Sequence, residues 1–151
     1  MRVYRIASGR YAPNSSEGAR LYGGRWNEVG TPVIYTSGSP SLAALEVVVH
    51  FQMIPVDYRV VHIEIPDHVE IESVDGTSLA ADWYDESAIP GTAAMGTLWA
   101  KSLRSAVLRV PSAVIRSEHN YVLNPLHPKF EAILFRVSEV DELDRRLRRK
   151  R

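Results

Sequence analysis

The chain of 151 residues predicts an α+β fold, a single compact domain with a central mixed, mostly antiparallel β-sheet flanked by helices. Three observations carry this. The length suits one domain, residues 1–151, long enough to bury most of its apolar surface around one core. Segments such as Tyr58–Ile65, YRVVHIEI, alternate apolar and polar residues with the period of a half-buried strand. Against these stands one segment, PSLAALEVVVHFQM, with apolar residues at helical spacing and a start signal before it.

In chain order, Val3–Ala7 alternates enough for a first strand, and a connection rich in Gly, Ser, Asn and Pro follows to about Ala19. Gly23-Gly24 marks backbone where a side chain is not tolerated or φ is positive. Thr31–Ser37, TPVIYTS, is a second strand. Ser39 then caps a helix over 40–53 that opens with Pro at its first position. Tyr58–Ile65 is ended by Pro66-Asp67, and Val69–Val74 is another short strand. Residues 78–104 suggest two short helices separated by a loose SAIPGTAAMG loop. Ala106–Val110 and Ala113–Ile115 flank an interruption at Pro111-Ser112, read as a bulge or bend. Phe130–Val137 is the last strand. From about residue 139 a charged tail, helical at its start and frayed at its end, completes the chain.

Composition excludes several chemistries. The absence of cysteine removes disulfides, thiol catalysis and Cys-ligated zinc. The five histidines have no HExxH or other zinc spacing, so no metal is expected. Walker and Rossmann fingerprints are missing: GGRWNEVG precedes a strand instead of following one. Net charge is zero, so the molecule as a whole has no general attraction for nucleic acid or anionic membrane. Without a signal-like N-terminus or a long apolar run, the protein reads as cytoplasmic.

The candidate site begins with Glu46. At ~100° per residue Leu42, Leu45, Val49 and Met53 share one apolar helix face, and Glu46 lies about 40° from Leu42, inside it. A buried carboxylate needs a partner or a ligand. Just upstream, GGRWNEVGTPVIYTS supplies Arg25, Trp26, Asn27, Tyr35 and Ser37. Arg25, between Gly23-Gly24 and the pair Trp26-Asn27, suits bidentate phosphate binding, or equally a surface arginine stacked on Trp26. Tyr35 can stack on a flat heterocycle or form the rim of the core. Ser37 shares its side of the strand and either bonds Glu46 or starts the turn that follows. His50, one helical turn beyond Glu46, can reach it or face solvent. A second group, RVPSAV…HNYVLNPLHP, offers Ser112, Asn120 and Asn124, each also a common turn residue.

GGRWNEVGTPVIYTS, the ensuing SLAALEVVVH and the later VPSAV…NYVLNPLHP resemble, in order, the RES domain, named for its Arg, Glu and Ser. Those letters fall on Arg25, Glu46 and Ser112, and the resemblance runs from Tyr4-Arg5 to about Pro128. It implies a fold similar to ADP-ribosyltransferase toxins and a toxin of a bacterial type II toxin–antitoxin pair. The implied partner is an antitoxin with an Xre-like helix-turn-helix domain, in a hetero-oligomeric complex that leaves DNA contact to the antitoxin. The implied substrate is NAD⁺, with no resident cofactor and with water, inorganic phosphate or a protein as acceptor. In that reading Glu46 stabilises the ribosyl cation and Arg25, with Arg5 as a second contact, anchors phosphate or ribose. Tyr35 stacks on nicotinamide, Ser37 or Ser112 positions Glu46 or the amide, and Trp26, Asn27 and Asn124 complete the binding set.

A rival reading rests on the tail. Arg145–Arg151 places six basic side chains in seven positions, enough for a salt-dependent nucleic-acid contact. A solvated helix end competes with it, and the preceding DELD offsets the charge.

Overall fold

The structure, a computed structural model that describes residues 1–148, gathers the strand-forming runs of the chain into one seven-stranded sheet. The strands are β1 (Arg2–Ser8), β2 (Ile34–Ser37), β3 (Tyr58–Glu64), β4 (Ile71–Ser73), β5 (Val107–Pro111), β6 (His119–Leu123) and β7 (Leu134–Val137). Their order is β4-β5-β6-β2-β1-β3-β7. Only β4–β5 is parallel; β5–β6, β6–β2, β2–β1, β1–β3 and β3–β7 are antiparallel. The sheet is therefore mixed and mostly antiparallel, as the alternation predicts. β1 meets β2 through a single register pair, Tyr4↔Ser37, whereas β1 and β3 pair along their whole length. The sheet curls at that narrow junction.

Helix α1 (Glu17–Tyr22) lies in the connection read from sequence as irregular, and Gly23 ends it with φ 70°. Helix α2 (Pro40–Phe51) starts as expected, with the Ser39 side chain accepting from the Leu42 N–H. Its buried side is not the one its leucines suggest. Leu42 and Ala43 are buried, and Ala44, Val47 and Val48 pack beside Ile6, Ile54 and Val60. Leu45 and Val49 are exposed. The helix is apolar nearly all round, so periodicity could not choose between the leucine stripe and the alanine–valine stripe; the smaller residues let it sit close on β1 and β3.

Further expectations are corrected. SAIPGTAAMG is no loop: most of it forms helix α3 (Ile89–Ser102), with Pro90 in its first turn. Gly96 is required there, since a Cβ would fall 1.9 Å from the Trp26 carbonyl oxygen. β5 runs through Pro111, which pairs with His119, so pairing is unbroken there and residues 113–115 are not a strand. The segment 130–132 is a 3₁₀ turn before β7, and the tail has a 3₁₀ turn at Arg145–Leu147 instead of an α-helical start.

The core has three parts. β1, β2, β3, β5 and β6 bury Val3, Ile34, Val61, Ile63, Val107 and Leu123 together. All three tryptophans, Trp26, Trp83 and Trp99, meet in a second cluster with Val110 and Val122. The third lies under α2. Among the described residues no buried side-chain nitrogen or oxygen lacks a hydrogen-bond partner.

Candidate active site

The loop that carries Arg25 is built around Asn27 and Tyr35. Gly24 and Asn27 form a narrow bridge, with the Gly24 N–H donating to the Asn27 carbonyl at 2.9 Å. The Tyr35 hydroxyl accepts from the Trp26 N–H at 2.9 Å and donates to Asn27 Oδ1 at 2.6 Å. A side chain on Gly24 would collide with that hydroxyl, its Cβ only 2.7 Å away. Asn27 Nδ2 donates to the Ala19 and Thr31 carbonyls. From the far side Thr97 Oγ1 of α3 accepts the Glu28 N–H at 2.9 Å. Trp26 and Asn27 are thus interior residues that shape the loop. Burial pushes the Tyr35 phenol up from its ordinary value, so it stays a neutral donor.

Arg25 itself reaches outward. Its Nη1 donates to the Trp83 and Asp85 carbonyls at 2.8 and 3.2 Å, and its Nη2 to the Tyr84 carbonyl at 3.0 Å. Its guanidinium carbon is 6.0 Å from the centroid of the Trp83 ring, so the stacking partner is Trp83 and not Trp26. A guanidinium has five N–H donors, and the Nε edge makes no hydrogen bond among the described residues. Partial burial draws Arg25 below its ordinary pKa, while the Glu46 carboxylate, the largest opposing influence, supports the cation.

Glu46 projects from the half-buried edge of α2 toward the ends of β5 and β6. Its Oε1 accepts from Ser112 Oγ at 2.9 Å and from Asn120 Nδ2 at 2.6 Å. Asn120 is in turn oriented by Ser37, whose hydroxyl donates to Asn120 Oδ1 at 2.8 Å, across the register pair Ser37↔Asn120. Ser112 is fully buried; its oxygen accepts the N–H groups of Val114 and Ile115 at 3.1 and 3.0 Å. That turn points the hydroxyl proton at Glu46. Both donors fix one carboxylate oxygen, and Oε2 accepts no hydrogen bond from the described residues.

Glu46, Ser112, Asn120 and Ser37 therefore form one hydrogen-bonded network, the Glu46 charge acts on Arg25, and Tyr35 holds the loop that carries Arg25. Arg5 does not join it directly: its guanidinium donates to the Pro13 and Ser15 carbonyls and, largely buried, is drawn down to about 10. Asn124 is also turned inward, donating to the Ala100 carbonyl and accepting the Leu126 N–H. His50 is exposed and leaves Glu46 to other partners. Of the two asparagines the sequence offers, it is Asn120, placed on β6, and not Asn124 that reaches Glu46. Among the described residues no three His, Asp or Glu side chains gather as metal ligands would, and no helix is long and apolar enough to cross a membrane.

Basic residues of the tail are partly used by the fold. Arg146 pairs with Asp144, and Arg148 donates to the Leu143 and Val56 carbonyls. Arg149, Lys150 and Arg151 lie outside the described residues.

A glutamate held by a serine, with an arginine whose charge it supports, defines a class. Residues 2–145 match the RES domain, and the chain belongs to the RES family. A "Prs ADP-ribosylating toxin" of Sphingobium sp. (strain YBL2) is 39% identical over 90% of this chain and 87% of its own length. A "Toxin Res" of Photorhabdus laumondii subsp. laumondii is 36% identical over 93% of this chain and 92% of its own. A similar fold occurs in the crystal structure of the M.tuberculosis MbcT-MbcA toxin-antitoxin complex. That match has a TM-score of 0.73 and 22% identity, covering 89% of this chain and 80% of the other. By family and by these relatives, the chain is a RES-domain toxin.

Proposed function

We propose that this toxin acts on NAD⁺, breaking the bond between nicotinamide and ribose, and that its natural state is a complex with an antitoxin. The observation that carries the reading is the Glu46 carboxylate, held through one oxygen by Ser112 and Asn120 while the other is left over, with the Arg25 cation in electrostatic reach. Heterolysis of an N-glycosidic bond develops an oxocarbenium-like cation, as glycoside hydrolysis does. The bonding pair leaves with nicotinamide, whose ring becomes neutral. A carboxylate fixed beforehand stabilises the developing charge without reorganising during the reaction. Glu46 Oε2 takes that role or accepts a ribose hydroxyl. The Nε edge of Arg25 suits the neighbouring phosphate, and the Tyr35 ring, its hydroxyl already engaged, offers a face to nicotinamide. Trp26, Asn27 and Asn124 support this binding site through the loops they hold, and Arg5 does so through residues 13–15.

Water or inorganic phosphate then adds at the ribosyl carbon, giving ADP-ribose or its phosphorylated form. A second reading, transfer of ADP-ribose to a protein, is favoured by the name of the Sphingobium relative. Purified protein incubated with adenylate-labelled NAD⁺, with and without phosphate and with a cell extract, separates the acceptors. Label in ADP-ribose supports hydrolysis, label in its phosphate ester supports phosphorolysis, and label on polypeptide supports transfer. Intact NAD⁺ in all three refutes the reading.

The similarity of the fold to a toxin solved with its antitoxin supports a partner that silences this chain. An Xre-type helix-turn-helix antitoxin in a hetero-oligomer fits, with DNA contact left to that partner and activity in the cytoplasm, where NAD⁺ is available. Ribonuclease or nucleic-acid binding is less well supported, since Arg146 and Arg148 already bind Asp144 and backbone carbonyls.

A further inference from the structure

Two loops meet through side chains that belong to neither the family's three letters nor the network just described. One loop, 112–118, is closed at its base by the Ser112 N–H donating to the Glu118 carbonyl at 3.0 Å. It starts at the serine that holds Glu46. The other carries Tyr84, whose carbonyl is held by Arg25. They touch where the Arg116 guanidinium carbon lies 4.2 Å from the centre of the Tyr84 ring. Tyr84 is half-buried and braced by Trp83 at 6.1 Å in a T-shaped arrangement. Arg116 is exposed, and among the described residues it makes no hydrogen bond or ion pair.

A guanidinium held over an aromatic ring by cation–π attraction still has N–H donors available for a planar pair of oxygens. The two other candidate cations are engaged differently. Arg5 is buried on carbonyls, and Arg25 has three contacts to the 83–85 backbone beside Glu46. A dinucleotide whose nicotinamide ribose meets Glu46 carries two phosphates away from that point, so a second cation is needed farther out.

The geometry points to Arg116, perched on Tyr84, as a phosphate-binding residue that contacts the pyrophosphate of the substrate on the side away from Glu46. This rests on the NAD⁺ reading above and adds to it the residue that discriminates a dinucleotide from a mononucleoside. Arg116 touches no reacting atom, so its removal acts on binding and leaves the bond-breaking step in place.

The test compares wild type, Arg116→Ala, Arg116→Lys and Tyr84→Leu by steady-state NAD⁺ cleavage and by calorimetric binding of ADP-ribose. Removing one charge-assisted contact should raise KM for NAD⁺ roughly tenfold and weaken ADP-ribose binding by a similar factor. The kcat should stay within about twofold, with Arg116→Lys in between. Tyr84→Leu, which removes the perch but keeps the cation, should raise KM in the same direction. Thermal unfolding of Arg116→Ala should match wild type, because the side chain is exposed. An Arg116→Ala enzyme with unchanged KM and unchanged ADP-ribose affinity, beside an active wild type, overturns the proposal and leaves the NAD⁺ reading standing. Wild type that neither cleaves NAD⁺ nor binds ADP-ribose overturns the reading beneath it.

Discussion

Gly96→Ala tests whether helix α3 seats the site, because the added methyl has nowhere to go. Its Cβ would lie 1.9 Å from the Trp26 carbonyl oxygen, 2.7 Å from the carbonyl carbon and 3.0 Å from Cα. These are backbone atoms, so no rotamer change relieves the clash; helix and loop must separate by about 1 Å or more. Overpacking of this kind costs about 1–3 kcal/mol and sometimes more. In an open helix the same change would stabilise by about 1 kcal/mol. The Thr97–Glu28 hydrogen bond, on the next residue of α3, would be strained as well. With about 1 kcal/mol for that bond, we expect a net loss of about 1–3 kcal/mol, which in a domain of this size lowers Tm by roughly 3–12 °C. Gly91, in the first turn of the same helix, has nothing within 4 Å of its Cβ position; Gly91→Ala should leave Tm unchanged or raise it slightly. Thermal unfolding followed by circular dichroism reads both. Gly96→Ala melting at or above the Gly91→Ala temperature would refute the contact. Because Arg25 precedes Trp26, residual folded Gly96→Ala protein should also lose most of its NAD⁺ cleavage.

The remaining predictions concern the network and the tail. Ser112→Ala deletes a donor to Glu46 and the acceptor of two backbone N–H groups; kcat should fall ~10–10²-fold and stability by about 1–3 kcal/mol, measured by initial rates and urea unfolding. Asn120→Asp replaces an amide donor with a second carboxylate facing Glu46; activity at neutral pH should drop at least ~10-fold and recover in part on mild acidification, visible in a rate–pH profile. Ser37→Ala loosens Asn120 without touching Glu46, and a loss as large as that of Asn120→Asp would contradict the assigned order of contacts. Asp141 is held below its ordinary value of 3.8, first by its hydrogen bond to His62. For a depressed carboxyl this support is complete above that value and is lost as pH falls through the folded one. Amides after Ser138 should therefore exchange faster below about pH 4, and His62→Ala should abolish that transition.

How far the sequence leads depends on whether local signals and packing agree. Ser39 and Pro40 announce α2, and the alternation of β3 is plain because one face is more buried than the other. β6 was invisible for the opposite reason: Tyr121, Val122 and Leu123 are all buried, so no alternation marks the strand, and its two asparagines read as turn residues. Without the strand, Asn120 and Asn124 look alike as candidates. α3 was hidden by Pro90, Gly91 and Gly96, which suit a loop in isolation; only the Trp26 backbone explains Gly96. Glu46 stands out in the sequence although the leucine stripe around it is not the buried one: Leu45 and Val49 are exposed. The premise that held was electrostatic: a carboxylate on that helix demanded partners, and Ser112 and Asn120 supply them.

The measurement nearest to the main proposal is the rate of NAD⁺ loss with purified protein, comparing wild type, Glu46→Gln and Arg25→Ala, each checked for folding. Glu46→Gln keeps the shape and removes the charge, so NAD⁺ consumption should fall by ~10²-fold or more, with Arg25→Ala also severely impaired. Wild type that consumes NAD⁺ at the same rate as Glu46→Gln would contradict the carboxylate mechanism outright.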